Sequence, residues 1–166
     1  MSGIPPRIDL GRQASTTMAH CMGQLRMFKN GEVETHGRRT AMGFVLPDWQ
    51  RGLVWTPAQK VSFIESAWLG IPLGSYSYNQ ADIGSPHDCL LIDGQQRMNA
   101  IEEYLSGRFK VFGLLYSEVP IREQRRWEMS TSFHCYITET DNEEYLRGYY
   151  NLTNFGGTAH KETERA

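Results

Sequence analysis

Cys89-Leu90-Leu91-Ile92 runs directly into Asp93-Gly94-Gln95-Gln96-Arg97, and the fold is decided in these nine residues. A four-residue apolar run reads as a buried strand. Gly94 permits the turn, and Met98, Ile101, Tyr104 and Leu105 then recur at helical spacing as far as Gly107. A strand that turns at once into an amphipathic helix is a building unit of an α/β sheet.

The pattern extends in both directions. Upstream, Thr56, Pro57 and Gln59 form a capping-box start, Val61, Ile64, Trp68 and Leu69 form an apolar stripe, and Gly70 ends the helix. Phe44-Val45-Leu46 is a short strand halted by Pro47. Met18, Cys21, Met22, Leu25 and Phe28 mark a first helix that stops at Asn30-Gly31, with a polar loop or hairpin over 32–39. A strand is expected around 71–78, leading into a loop over 81–88. Downstream, strands are expected at 109–115 and 133–137, and a short charged helix at 120–129. A last helix should be capped by Asp141 and carry Tyr145, Leu146, Tyr149 and Leu152. Residues 1–16, with few apolar side chains, read as a loose arm. Residues 17–160 form the domain, and 161–166 form a polar tail. The fold class is α/β (α+β), a small mixed sheet with flanking helices.

Composition narrows the function. The chain has 166 residues, enough for one domain with its own core and too few for two. Net charge is −2, which counts against a non-specific nucleic-acid binder, although 13 of the 17 basic residues are arginine. Cys21, Cys89 and Cys135 are odd in number and widely spaced, so neither a disulfide framework nor a zinc site is expected. No apolar run approaches the ~20 residues of a membrane helix, and no signal-peptide core follows Met1. The expectation is a cytoplasmic protein without a membrane partner.

Three segments carry candidate chemistry. At the strand–helix turn, Gly94 would let backbone N–H groups approach an anion. Gln95 and Gln96 supply amide donors, and Arg97 supplies a cationic fork. Asp93 could hold a metal, orient Arg97 or cap the helix; a capped helix with a solvated first turn reads equally well. The second segment is Pro47-Asp48-Trp49-Gln50-Arg51-Gly52 with Trp55. It suits either an aromatic wall with a phosphate-seeking Arg51 or a core-anchoring turn. The third is Tyr150-Asn151-Leu152-Thr153-Asn154-Phe155-Gly156-Gly157-Thr158-Ala159-His160, where Asn154 and the paired glycines form either a tight turn near a ligand or an ordinary helix end and loop. The pairs Glu102-Glu103 and Glu143-Glu144 read as solvated faces. His87 and Cys89 are poorly spaced for a metal, and no metal ligand set is expected.

Pro47-x-Trp49-Gln50-Arg51-x-x-x-Trp55, the intact DGQQR of Asp93–Arg97, and the Asn154-Phe-Gly-Gly-Thr-x-His160 turn occur in that order. Together they resemble the DGQQR-motif family that forms the N-terminal domain of GmrSD-type modification-dependent restriction enzymes, within the ParB/sulfiredoxin-like superfamily. The resemblance spans about residues 18–160. It implies nucleoside triphosphate binding, with Mg2+ and slow hydrolysis in some members. Carried over by position, Asp93, Gly94, Gln95, Gln96 and Arg97 match the phosphate motif, Gln50 and Arg51 the upstream motif of the same pocket, and Asn154 the late asparagine. Asp93, Gln96 and Arg97 are the positions implied for hydrolysis. Long members continue into an HNH-type nuclease, for which His20, His36, His87, His134 and His160 offer no spacing. A stand-alone copy is the habit of phage or mobile-element proteins, which implies a role in phage–host conflict. Two other expectations stand beside nucleotide binding: a non-enzymatic interaction module with a protein partner or self-association, and a DNA-binding or nicking protein, which the net charge opposes.

Overall fold

The computed structural model describes residues 3–155. In chain order the elements are β1 (Arg12–Ala14), α1 (Met18–Lys29), β2 (Thr40–Ala41), β3 (Phe44–Val45), α2 (Pro57–Leu69), β4 (Ser75–Asn79) and β5 (Leu90–Asp93). They are followed by α3 (Gln95–Leu105), α4 (Ile121–Ser130), β6 (His134–Thr138) and α5 (Glu143–Phe155). One six-stranded mixed sheet forms, in the order β1-β6-β4-β5-β3-β2. β6/β4 and β5/β3 pair in parallel, and the other neighbours are antiparallel. The chain is a single α/β domain.

Both faces of this sheet are covered, which explains why β5 is apolar throughout rather than alternating. Leu91 faces the larger core with Phe44, Tyr76, Tyr78, Met98, Ile101 and Tyr104, a core to which α1–α4 contribute. Leu90 and Ile92 face the other way, against Val45 and the α5 residues Leu146, Tyr149 and Tyr150. Two tyrosines tie α5 to the segment before β1: the Tyr145 hydroxyl donates to the Asp9 carbonyl, and the Tyr149 hydroxyl donates to the Leu10 carbonyl at 3.2 Å. Burial pushes the Tyr149 hydroxyl above the usual tyrosine range, so it stays a donor at neutral pH.

Local chemistry sets the helix ends. The Thr56 hydroxyl accepts from the Gln59 N–H at 3.2 Å, and Gln59 Oε1 accepts from the Thr56 N–H at 2.8 Å. Gly70 then closes α2 at φ +73°. These features agree with the sequence. Three others differ. Residues 12–14, expected within a loose arm, form edge strand β1 against Cys135–Ile137. The 109–115 segment is not a strand: Val111 bridges to Leu114 across a tight turn with Phe112 and Gly113 at positive φ, and a short 3-10 turn follows. Asn142 rather than Asp141 caps α5, its Oδ1 accepting from the Tyr145 N–H at 3.1 Å, while Asp141 accepts from the Ser85 hydroxyl. Asn154 lies in the last turn of α5, in line with the helix-end reading of that segment; the paired glycines and residues 158–160 lie outside the described residues.

Candidate functional site

The end of β5 creates the site. After Asp93 the chain turns at Gly94, with φ +106°, and a Cβ there would lie 2.8 Å from Tyr76 Cβ. Only glycine fits both the conformation and the space. α3 starts at Gln95, and no side chain caps it. The first-turn N–H groups of Gln95, Gln96 and Arg97 therefore face outward with the positive end of the helix dipole. Beside them lies a cavity of about 130 Å³ lined by Gln50, Arg51, Trp55, Asp93, Gly94, Gln95, Gln96, Arg97, Tyr150 and Asn154. All eight residues singled out from three distant stretches of sequence line this one cavity.

Their surroundings differ sharply. Gln95 is 7% exposed, and its Nε2 is buried with no hydrogen-bond partner among the described residues. A buried amide donor left unpaired costs about 1–3 kcal/mol, so it marks a place where an acceptor belongs. Arg51 is exposed. Arg97 is committed to the protein: Nη1 donates to the Leu73 carbonyl at 3.2 Å, and Nη2 contacts Asp93 Oδ2 at 3.3 Å. The Asp93 contact matches the sequence option in which Asp93 orients Arg97, and with the Leu73 bond it makes Arg97 a brace across the turn. Asn154 Nδ2 donates to the Tyr150 carbonyl at 2.9 Å, an intrahelical bond that holds it on the cavity side of α5.

The two remaining glutamines bind backbone. Gln50, 7% exposed, donates from Nε2 to the Leu91 and Ile92 carbonyls at 2.5 and 3.0 Å. Gln96 Oε1 accepts from the N–H groups of Val54 and Trp55 at 2.9 and 3.1 Å, and its Nε2 donates to the Gly52 carbonyl at 3.1 Å. Sequence reasoning assigned neither of these roles. The sequence reading places Tyr150 at the head of the third segment but gives it no role of its own, although Tyr150 sits one helical turn before Asn154 and meets Trp49 edge-on at 5.3 Å between ring centres. The i, i+4 spacing of Tyr150 and Asn154 on one helix was the available signal.

Among the described residues Asp93 is the single carboxylate lining the cavity, against two guanidinium groups. This balance, with the helix N-terminus, favours a small anion. The volume is below the ~300 Å³ of an ordinary small-molecule pocket, so a phosphate-sized group fits and a whole nucleotide extends outside. A larger cavity of about 1220 Å³ opens near the start of β5, but Glu32, Glu34, Asp82, Asp88, Glu139 and Asp141 line it with no Lys or Arg among the described residues. That charge repels a polyanion. No group of three His, Cys, Asp or Glu suited to a metal ion exists among the described residues.

Fold and site together define an α/β domain whose strand–helix turn presents amide donors and an arginine to a small cavity. The model of the GmrSD restriction endonuclease N-terminal domain matches residues 28–165, and the chain belongs to that family. No curated protein and no solved structure matches the chain significantly. Among the described residues no helix is long and apolar enough to cross a membrane.

Proposed function

We propose that this domain binds a nucleoside triphosphate, seats a phosphate group in the cavity at the start of α3, and acts in restriction or its regulation during phage–host conflict. The buried, unpartnered Nε2 of Gln95 beside the uncapped first turn is the observation that carries this reading. A phosphate oxygen would accept from Gln95 Nε2 and from the first-turn amides, and Arg51 would close over the outer oxygens. Arg97 and Asp93 keep the turn in shape. Base and sugar would lie outside the cavity along the Trp55 side, where flat apolar surface suits a nucleobase. Mg2+ would arrive on the phosphates, with Asp93 as the one carboxylate of the cavity among the described residues. If hydrolysis follows, Asp93 would orient a water, and the chain's own contribution would be positioning plus charge stabilisation.

A thermal-shift panel of ATP, GTP, CTP and UTP, each with and without Mg2+, tests the proposal. A ligand at a hundred times its Kd should stabilise the fold by about 2.7 kcal/mol, a readily measured rise in melting temperature. No shift with any nucleotide would overturn it. An interaction module is the second reading, favoured by Leu53 and Val54, which are 44% and 38% exposed on the loop that borders the cavity. A pull-down partner lost on Leu53→Ser, combined with silence across the nucleotide panel, would establish it. For a DNA-binding role the net charge of −2 remains unfavourable.

A further inference from the structure

We infer that Gln50 and Gln96 are positioning residues that hold the loop between them so that Arg51 faces the anion seat, and that Gln96 acts on the ligand through Arg51 instead of touching it. The inference rests on the phosphate reading of the cavity and deepens it. Its observation is the pattern of hydrogen bonds on either side of Arg51. On one side, both N–H groups of the Gln50 amide go to consecutive carbonyls, Leu91 and Ile92, at the end of β5. On the other, Gln96 binds three backbone groups, the Gly52 carbonyl and the Val54 and Trp55 N–H groups. The loop is therefore fixed at residue 50 to the strand that ends at the site, and at residues 52, 54 and 55 to the helix that begins there. Arg51 is the residue between the two attachments, exposed and with no hydrogen-bonding partner given to it by the fold among the described residues.

This arrangement has a physical use. A long arginine side chain keeps its rotamer freedom in the free protein, but its Cα is set by neighbours that cannot move independently of the cavity wall. Fixing the backbone in advance reduces the ordering cost on binding to that of the side chain alone. Gln96 Oε1 already accepts two bonds, its full complement, so the oxygen has no capacity left for a ligand donor or a metal. Glutamine serves here where glutamate would not, because the Nε2 bond to the Gly52 carbonyl needs a donor. Without the Gln96 clamp, the 52–55 segment loses its link to α3, and Arg51 samples orientations away from the seat.

Calorimetric titration with inorganic triphosphate, which has no base to recognise, measures the coupling in a double-mutant cycle of Gln96→Ala and Arg51→Ala. Arg51→Ala should weaken triphosphate about ten- to hundred-fold, the loss of a charge-assisted contact. Gln96→Ala should weaken it several-fold in the unsubstituted chain and cause no further loss when Arg51 is already alanine. Hydrogen exchange supplies a readout that needs no ligand. In Gln96→Ala the Val54 and Trp55 amides should exchange faster, while Met98, bonded to the Gly94 carbonyl within α3, keeps its protection. Independent, additive losses in the cycle would mean that Gln96 touches the anion and would overturn the inference, as would unchanged exchange at Val54 and Trp55. Binding of triphosphate but of no nucleotide would overturn the nucleotide proposal and leave the clamp standing. Failure of the unsubstituted chain to bind triphosphate would overturn both.

Discussion

Replacing Arg97 with alanine removes the brace across the β5–α3 turn, and its cost can be worked from two contacts. The Leu73 carbonyl loses a charged donor at 3.2 Å, and Leu73 is 7% exposed, so water replaces that donor poorly. Hydrogen bonds from charged groups contribute about 1.5–3 kcal/mol. The ion pair with Asp93, at 3.3 Å, has side chains 20% and 32% exposed and adds only about 0.5 kcal/mol after solvent screening. The exchange of helix propensity between Arg and Ala offsets a few tenths at most. The sum is about 2–3 kcal/mol, which for a domain of this size is a fall in melting temperature of roughly 5–10 °C. Differential scanning calorimetry and urea titration of the nucleotide-free protein measure it directly. A melting temperature within a degree of the unsubstituted chain would refute the brace and return Arg97 to the role of a free, ligand-directed fork.

Three further outcomes follow from the same structure. Gly94→Ala forces a Cβ to 2.8 Å from Tyr76 Cβ in a left-handed conformation that by itself costs about 1–2 kcal/mol; urea titration should show at least that loss, and a neutral result would mean the turn relaxes freely. Cys21 and Cys135 are fully buried, and burial pushes the Cys21 thiol up to about 12; a thiol-reactive dye should therefore modify Cys89 alone, and slowly, in the native protein, but all three cysteines in urea. Glu103 accepts from Lys60 Nζ at 2.8 Å, which holds its carboxyl below the usual glutamate range; since the folded value is the lower one, the pair stabilises the fold at neutral pH and the contribution fades as pH falls through that folded value. Lys60→Met should lower urea stability at pH 7 and converge with the unsubstituted chain in strong acid; a constant gap at all pH values would exclude the pair as the cause.

Much of the fold was legible because its signals are local. The capping box at Thr56 and Gln59, the apolar stripe of α2 and the apolar run before Gly94 each lie within a few residues, and each forms as read. Failures occurred where long-range pairing decides. Arg12–Ala14 has no strand pattern of its own and becomes β1 because the edge of β6 is available to it. Residues 109–115 are rich in β-formers, yet Gly113 turns the segment back on itself before a strand can extend. At the site, composition identified which residues gather but not what they do there. A glutamine donating to a ligand and one donating to a carbonyl 41 residues away in sequence look alike in a chain of letters, as Gln50 and Leu91 demonstrate. The same holds for Arg97, whose partner Leu73 is a backbone oxygen that no side-chain motif can reveal.

A crystal structure of the chain with a non-hydrolysable ATP analogue and Mg2+, or with the analogue of whichever base the thermal-shift panel favours, tests the central claim most directly. A phosphate should sit in the cavity at the start of α3, with oxygens within hydrogen-bond distance of Gln95 Nε2 and the Gln95–Arg97 amides, Arg51 folded over it and the base on the Trp55 side. A triphosphate bound elsewhere, such as in the cavity of about 780 Å³ between the end of α2 and α4, with Gln95 Nε2 still unpartnered, would contradict it.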